Sequence, residues 1–147
     1  MIRNIRPEDR EAYLAMSDAF YHSEAVLHPV PLEVQARVFD EAVSSDVYLE
    51  VFFLEEEGKT AGYAVINKSF SSEIGGRIVW IEDLFIKPEF RSHGLGRTFF
   101  AYLEDRFAGT VKRFRLEADF SNTRAIALYK RLGFEELPYL QMVKDRP

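Results

Sequence analysis

The sequence has 147 residues, a formal net charge of −5 and 47% hydrophobic residues, which is typical of a single folded domain over 1–147 with a sizeable core. The absence of cysteine excludes disulfides, a cysteine nucleophile and thiolate metal sites, and three histidines without ligand spacing predict no metal site. The negative charge gives no basic footprint for nucleic acid, and because no apolar run reaches about 20 residues we expect no membrane span.

The first half of the chain predicts one strand, two helices and the start of a sheet. Its charged beginning, MIRNIRPEDRE, is atypical of a signal peptide, so a cytoplasmic protein is expected. The helix that Pro7 starts carries an apolar stripe formed by Ala12, Ala15, Met16, Ala19 and Phe20. The predicted elements are a strand around Ile2 and Ile5, that first helix, a loop over 22–31, a helix over Leu32–Ser44, and strands over Val47–Leu54 and Thr60–Phe70.

In the second half, predicted helices alternate with strands. These elements are a strand over Arg77–Ile86, a helix from about Gly94 to Phe107, a strand over Val111–Ala118, a helix capped by Ser121 or Asn122 that runs to Leu132, and short closing strands at Phe134 and Tyr139–Val143. The whole order is β-α-α-β-β-β-α-β-α-β-β. Crossovers imply parallel pairing and hairpins imply antiparallel pairing, so we expect an α/β (α+β) fold with a mixed sheet flanked by helices.

A glycine-containing loop, Arg91-Ser92-His93-Gly94-Leu95-Gly96, lies between a predicted strand and a predicted helix. Glycines let the backbone approach a ligand, and the helix that follows offers unpaired N–H groups, while Arg91 and Arg97 add positive charge. A Walker loop is excluded by its spacing, and the dinucleotide fingerprint fails because Phe99 stands where its third glycine is required. The pattern therefore indicates a phosphate or pyrophosphate site, with an ordinary strand-to-helix turn as the alternative.

Two motifs together resemble those of one known family. Arg91-x-x-Gly94-x-Gly96, preceded by a strand and Pro88, resembles the acetyl-CoA pyrophosphate loop of the GNAT superfamily of N-acetyltransferases. The segment Asn122-x-x-Ala125-x-x-x-Tyr129-x-x-x-Gly133-Phe134 is similar to the second motif of that superfamily. Within it, WIEDLFIKPEFRSHGLG is most similar to the diamine acetyltransferases. The resemblance implies a GNAT-like fold.

The resemblance also implies where acetyl-CoA binds as co-substrate. The strands 77–86 and 111–118 are expected to part and leave a wedge, where the pantetheine arm pairs with the strand backbone. A backbone N–H near Phe85 is expected to stabilise the oxyanion. The expected cofactor contacts are Leu84, Phe85, Ile86, Arg91, Ser92, His93, Gly94, Leu95, Gly96, Arg97 and Asn122.

Two residues are expected to move protons. Tyr129 stands at the family's position for the general acid that protonates the thiolate, with packing on an amphipathic helix as the alternative. Glu82 interrupts an apolar strand, and strict alternation would place it on one face with Leu84 and Ile86, so it is the expected base. Asp83 is the alternative base.

The acceptor side is expected to come from the first half of the chain. Glu24, Tyr21 and Asp83 are the residues expected to bind the substrate. The resemblance implies acetyl transfer to a primary amine of a small molecule or polyamine, by direct attack in a ternary complex. A protein or peptide amine as acceptor, a non-catalytic acyl-CoA sensor and a structural domain remain alternatives. The family often forms dimers, so a homodimer is compatible with this interpretation.

Overall fold

A computed structural model describes all 147 residues. The elements are β1 Ile2–Asn4, α1 Arg10–Tyr21, α2 Leu32–Ser44, β2 Leu49–Glu56, β3 Lys59–Ser71, β4 Gly76–Ile86, α3 Leu95–Arg106, β5 Val111–Leu116 and α4 Thr123–Arg131. Single 3-10 turns occupy Pro7–Asp9 and Pro88–Phe90, where proline begins the turn. None of the helices combines the length and the apolar character that crossing a bilayer requires.

The predicted mixed sheet is confirmed. Its five strands lie in the order β1-β2-β3-β4-β5, and the first four are antiparallel to their neighbours. β5 is parallel to β4, because α3 carries the chain back across the sheet between them. The sheet therefore changes from antiparallel to parallel pairing at β4.

Helices cover both faces of the sheet and form two hydrophobic clusters. α1 and α2 pack on one face around Tyr13, Phe39 and Tyr63, and α3 packs on the other around Phe52 and Phe99. The stripe predicted for α1 is partly wrong, since its buried residues are Tyr13, Met16, Ser17 and Phe20 while Ala12, Ala15 and Ala19 are exposed. The large aromatic side chains bury more apolar area than alanines do, so they set which side of the helix faces the sheet.

The closing strands predicted at Phe134 and Tyr139–Val143 are wrong, because no strand follows α4. Phe134 instead packs its ring against Phe100 and Tyr129. Further on, Leu140 is 87% exposed and Val143 is 88% exposed. Apolar and β-branched residues favour a strand only where a neighbouring strand supplies a hydrogen-bonded ladder. The segment forms no ladder with β5, which remains an edge strand of the sheet.

Candidate active site

β4 and β5 part in the middle of β4. Their pairing runs from Arg77–Val111 to Ile81–Leu116, where β5 ends, whereas β4 continues to Ile86. The expected wedge between the two strands is therefore present. It lies at the carboxyl ends of two parallel strands, where ligands bind in open α/β sheets.

The backbone of Leu84 and Ile86 faces this wedge. On the opposite side of β4, the N–H of Lys87 donates to the carbonyl of Ala61. In an antiparallel ladder, residue pairs that are joined by hydrogen bonds alternate with pairs that are not. Ala61 and Lys87 form a joined pair, so the next joined pair is Tyr63–Phe85. The N–H of Phe85 therefore points toward β3, and the N–H groups available for an oxyanion are those of the two flanking residues.

A cleft of about 970 Å³ extends from the wedge across the molecule. Its volume lies at the upper end of the range typical of ligand sites. Four parts of the chain line it, namely the end of α1 with residues 22–25, residues 84–86 of β4, the loop 90–92 with 94–97, and residues 121–125, 128, 129 and 131 before and along α4. The cleft therefore joins the wedge to the predicted phosphate loop.

The phosphate loop ends in a helix N-terminus, as the motif predicts. Gly94 is the N-cap residue of α3 with φ of +82°, which requires glycine, and an added Cβ would meet no atom within 4 Å. No side chain caps α3, so the N–H groups of its first turn remain free for an anion. The Nε of Arg91 donates to the carbonyl of Ile86 at 3.0 Å, which ties the loop to the wedge.

Two residues of the loop have roles that differ from the expectation. An added Cβ at Gly96 would lie 3.4 Å from Leu128 Cδ2, so this glycine permits close packing of α3 against α4. The ring of His93 bonds through Nδ1 to Glu56 at 2.8 Å and does not line the cleft. Only the backbone of His93 remains for a ligand.

Arg124 is a cleft residue that the sequence analysis missed. It lies in the first turn of α4, and its Nη2 donates to Ser92 Oγ at 2.6 Å. Ser92 itself has φ of +66°, which is uncommon for a residue other than glycine and frequent at ligand sites. A cation at a helix N-terminus opposes the helix dipole, and that misplaced charge is the signal that could have identified Arg124 as an anion-binding residue.

Asn122 lines the cleft with a free side chain. It occupies the N-cap position of α4, but its side chain makes no capping hydrogen bond, contrary to the predicted cap. Its amide therefore remains available to a ligand at the mouth of the wedge.

Tyr129 lies between the aromatic core and the cleft. Its ring is 5.8 Å from that of Phe100 and 6.0 Å from that of Phe134, measured between centroids. Its hydroxyl makes no hydrogen bond within the protein, and burial raises the pKa of the phenol. The ring therefore packs in the core, and the residue also lines the cleft.

Glu82 stands at an irregularity of β4. Val65 pairs with Asp83 and Ile66 pairs with Ile81, so Glu82 is the extra residue of a β-bulge. The bulge breaks the predicted alternation, since Ile81 and Leu84 now share the α3 face. Glu82 accepts a hydrogen bond from Asn67 Nδ2 at 2.5 Å.

Two carboxylates lie where the strands part, and neither of them lines the cleft. Glu82 follows Ile81 on β4 and Glu117 follows Leu116 on β5, directly beyond the last pair of the parallel ladder. Loss of water between the strands raises the pKa of Glu82, the hydrogen bond from Asn67 lowers it, and the charge of Glu117 raises it further. The mouth of the wedge is therefore acidic.

Asp83 and Tyr21 lie outside the cleft, which corrects the expectation that both contact the acceptor. Asp83 is 3% exposed, and its two oxygens accept the hydroxyls of Tyr21 at 2.7 Å and Tyr63 at 3.0 Å. Both oxygens are therefore engaged inside the protein, and the carboxylate does not reach the cleft. Glu24, in contrast, is exposed and lines the cleft.

Comparison with known proteins identifies one family. Residues 11–134 match the sequence model of the acetyltransferase (GNAT) family. An uncharacterised N-acetyltransferase of Bacillus subtilis is 32% identical over 88 residues, which is 58% of each chain. A thialysine N-epsilon-acetyltransferase of Bos taurus is 29% identical over 120 residues, covering 72% of this chain and 70% of that protein. The chain thus spans little more than half the length of the first relative.

Solved structures show the same fold. An aminoglycoside N-acetyltransferase in complex with CoA superimposes with a TM-score of 0.78 at 19% identity, covering 100% of this chain and 95% of that chain. At this identity the likeness concerns the arrangement of helices and strands. The mixed sheet flanked by helices is therefore an architecture shared with that acetyltransferase.

Proposed function

Because the chain belongs to the GNAT acetyltransferase family, we propose that it transfers an acetyl group from acetyl-CoA to a primary amine of a small molecule or polyamine, by direct attack in a ternary complex. The observation that carries this proposal is one continuous cleft, from the N–H groups of Leu84 and Ile86, which face away from β3, to the glycine loop at α3. Amides of a pantetheine arm can pair with a free strand edge, and a pyrophosphate suits a helix N-terminus.

The residues around the phosphate loop fit an anionic co-substrate. Arg91, Arg97 and Arg124 all line the cleft, and they surround the open space at Gly94. Guanidinium groups bind phosphate oxygens through charge-assisted hydrogen bonds. Acetyl-CoA would therefore be held by its pyrophosphate at α3 and α4, with its thioester at the wedge beside Leu84.

The acidic mouth of the wedge favours a cationic acceptor. Glu82 and Glu117 flank the point where the strands part, and Glu24 lines the cleft from the loop after α1. An amine is protonated at neutral pH, so these carboxylates attract it, and it must then lose a proton before it attacks. A carboxylate whose pKa is raised takes that proton more readily, which suits Glu82 to the role of general base, directly or through water.

The reaction then needs two further groups from this chain, namely a hydrogen-bond donor for the oxyanion and a general acid for the leaving thiolate. The neutral amine attacks the thioester carbonyl carbon, a C–N bond forms, and an N–H of Leu84 or Ile86 stabilises the oxyanion. Collapse breaks the C–S bond and releases the CoA thiolate. The Tyr129 hydroxyl, which has no partner inside the protein, gives its proton to that sulfur. The acylated nitrogen loses its second proton to water, the Tyr129 hydroxyl regains a proton from water, and the products are an amide and CoA.

A screen for release of the free CoA thiol tests the reaction. Acetyl-CoA is mixed with the protein and with polyamines, monoamines, amino acids, aminoglycosides and peptides in turn. Turnover with a small amine supports the proposal, whereas turnover with peptides alone assigns the alternative acceptor class. Calorimetric binding of acetyl-CoA without turnover on any amine would identify a sensor, and absence of binding would overturn the assignment of the cleft.

Glu82→Gln tests the base. The variant keeps the shape and the bond with Asn67 but removes the charge, so kcat/KM should fall about 10²-fold at neutral pH, with acetyl-CoA affinity unchanged. Glu73→Gln is the matched control, because Glu73 is an exposed carboxylate paired with Arg113 before β4 begins. Equal kinetics of both variants at every pH would remove Glu82 from the mechanism.

A further inference from the structure

A buried carboxylate joins three elements of the α1 face. Asp83 belongs to β4, and its two hydroxyl donors come from Tyr21 at the end of α1 and Tyr63 on β3. Tyr13 of α1 packs its ring 5.3 Å from that of Tyr63. A carboxylate is retained in such a core only when hydrogen bonds satisfy it, so both phenols are required partners of Asp83.

One of these two phenols stands next to the cleft. Tyr21 is the last residue of α1, and its neighbours Phe20, His22, Ser23 and Glu24 line the cleft. The hydroxyl of Tyr21 therefore joins this wall to β4 by a hydrogen bond, beside the apolar packing of Phe20 in the same cluster as Phe85. Tyr63, in contrast, lies fully buried in the middle of the sheet and does not line the cleft.

The far end of the same loop is fixed separately. Gln35 of α2 is buried, and its Nε2 donates to the carbonyl of Val30 at 2.9 Å. The residues between Tyr21 and Val30 contain turns and bends and no helix or strand. The loop 22–31 is thus tied to other elements at both ends, by the hydrogen bond from Tyr21 to Asp83 just before it and by that from Gln35 to Val30 near its end.

We propose that Asp83 is a positioning residue for the acceptor, because its bond to Tyr21 fixes the end of α1 and thereby the cleft wall formed by residues 22–25. The kinetic effect of this role rests on the proposed acetyl transfer. It differs from substrate binding, since Asp83 acts through Tyr21 and touches no ligand. Loosening the bond displaces the wall beside the acceptor but leaves the phosphate loop on α3 and the proton donors unchanged.

Two conservative variants separate positioning from general stability. Tyr21→Phe and Tyr63→Phe each remove one hydroxyl that Asp83 accepts and keep the ring. A hydrogen bond to a charged group corresponds to about a tenfold effect or more, so Tyr21→Phe should raise the KM for the acceptor roughly tenfold. The kcat and the calorimetric affinity for acetyl-CoA should stay at the wild-type values. Tyr63→Phe should lower the melting temperature and leave the acceptor KM unchanged.

Amide hydrogen exchange tests the same proposal without a substrate. Tyr21→Phe should speed exchange over residues 22–31, and Tyr63→Phe should not. Unchanged exchange in Tyr21→Phe, equal acceleration in both variants, or faster exchange with an unchanged acceptor KM would each overturn the proposal. If the wild-type protein turns over no amine, the proposed function fails, and the exchange measurement still decides whether Asp83 holds the wall.

Discussion

Gly94 has a left-handed backbone conformation, and the space that a side chain would occupy is empty. Alanine at this position therefore adds backbone strain but no clash inside the protein. Its φ is +82°, and an added Cβ would meet no atom within 4 Å. Gly58, in the turn between β2 and β3, is a matched position with φ of +75° and equally open space, and it does not line the cleft. Gly94→Ala and Gly58→Ala therefore introduce the same strain at two sites, of which only one lines the cleft.

The two variants should lose similar stability but differ in ligand binding. A left-handed conformation costs an alanine roughly 1–2 kcal/mol, which should lower the melting temperature of each variant by about 2–8 °C for a chain of this size. In Gly94→Ala the added methyl group also occupies the open space at the start of α3, where a pyrophosphate would approach the N–H groups. Loss of that close approach should weaken acetyl-CoA binding about tenfold or more.

Calorimetric titration with acetyl-CoA measures the affinity, and urea unfolding measures the stability. The expected result is that both variants are destabilised alike and only Gly94→Ala binds acetyl-CoA more weakly. If Gly94→Ala binds acetyl-CoA as tightly as the wild type, Gly94 only shapes a turn, and the reasoning that places a pyrophosphate at α3 is refuted.

Two further predictions concern single ionisable groups. Tyr129→Phe keeps the packed ring and removes the unpartnered hydroxyl, so kcat measured by thiol release should fall about 10²-fold with unchanged acetyl-CoA affinity, and a wild-type kcat would make Tyr129 a packing residue only. Burial raises the pKa of Asp83 from 3.8 to about 6, so the folded protein favours the protonated carboxyl. The resulting stabilisation is fully present below pH 3.8 and is lost as the pH rises through about 6. It changes the free energy of unfolding by about 3 kcal/mol. We compare the free energies of unfolding of the wild type and of Asp83→Asn in urea. The advantage of the wild type should be larger at pH 4 than at pH 7.5 by about that amount. An advantage that is the same at both pH values would contradict the raised pKa.

Local patterns in the sequence were sufficient for most elements and for the phosphate loop. The helix over Leu32–Ser44 is found with the predicted bounds, because its apolar period and the preceding Pro31 act within a few residues. Gly94 was identified because a strand followed by a glycine loop and a helix has one local geometry. The parting of the strands 77–86 and 111–118 was implied by the family motifs and is present.

The face of β4 on which each residue lies, and the structure at the end of the chain, depended on contacts between segments that are distant in sequence. The bulge at Glu82 arises from the register of β4 against β3, so simple alternation could not place Glu82 and Asp83 correctly. The partners of Asp83 are 62 and 20 residues away, and no local pattern reveals that its oxygens are occupied. Tyr139–Val143 has strand-like composition but no partner strand. Composition, period and turn chemistry are thus encoded locally, whereas register, hydrogen-bond partners and edge pairing arise only when distant segments pack together.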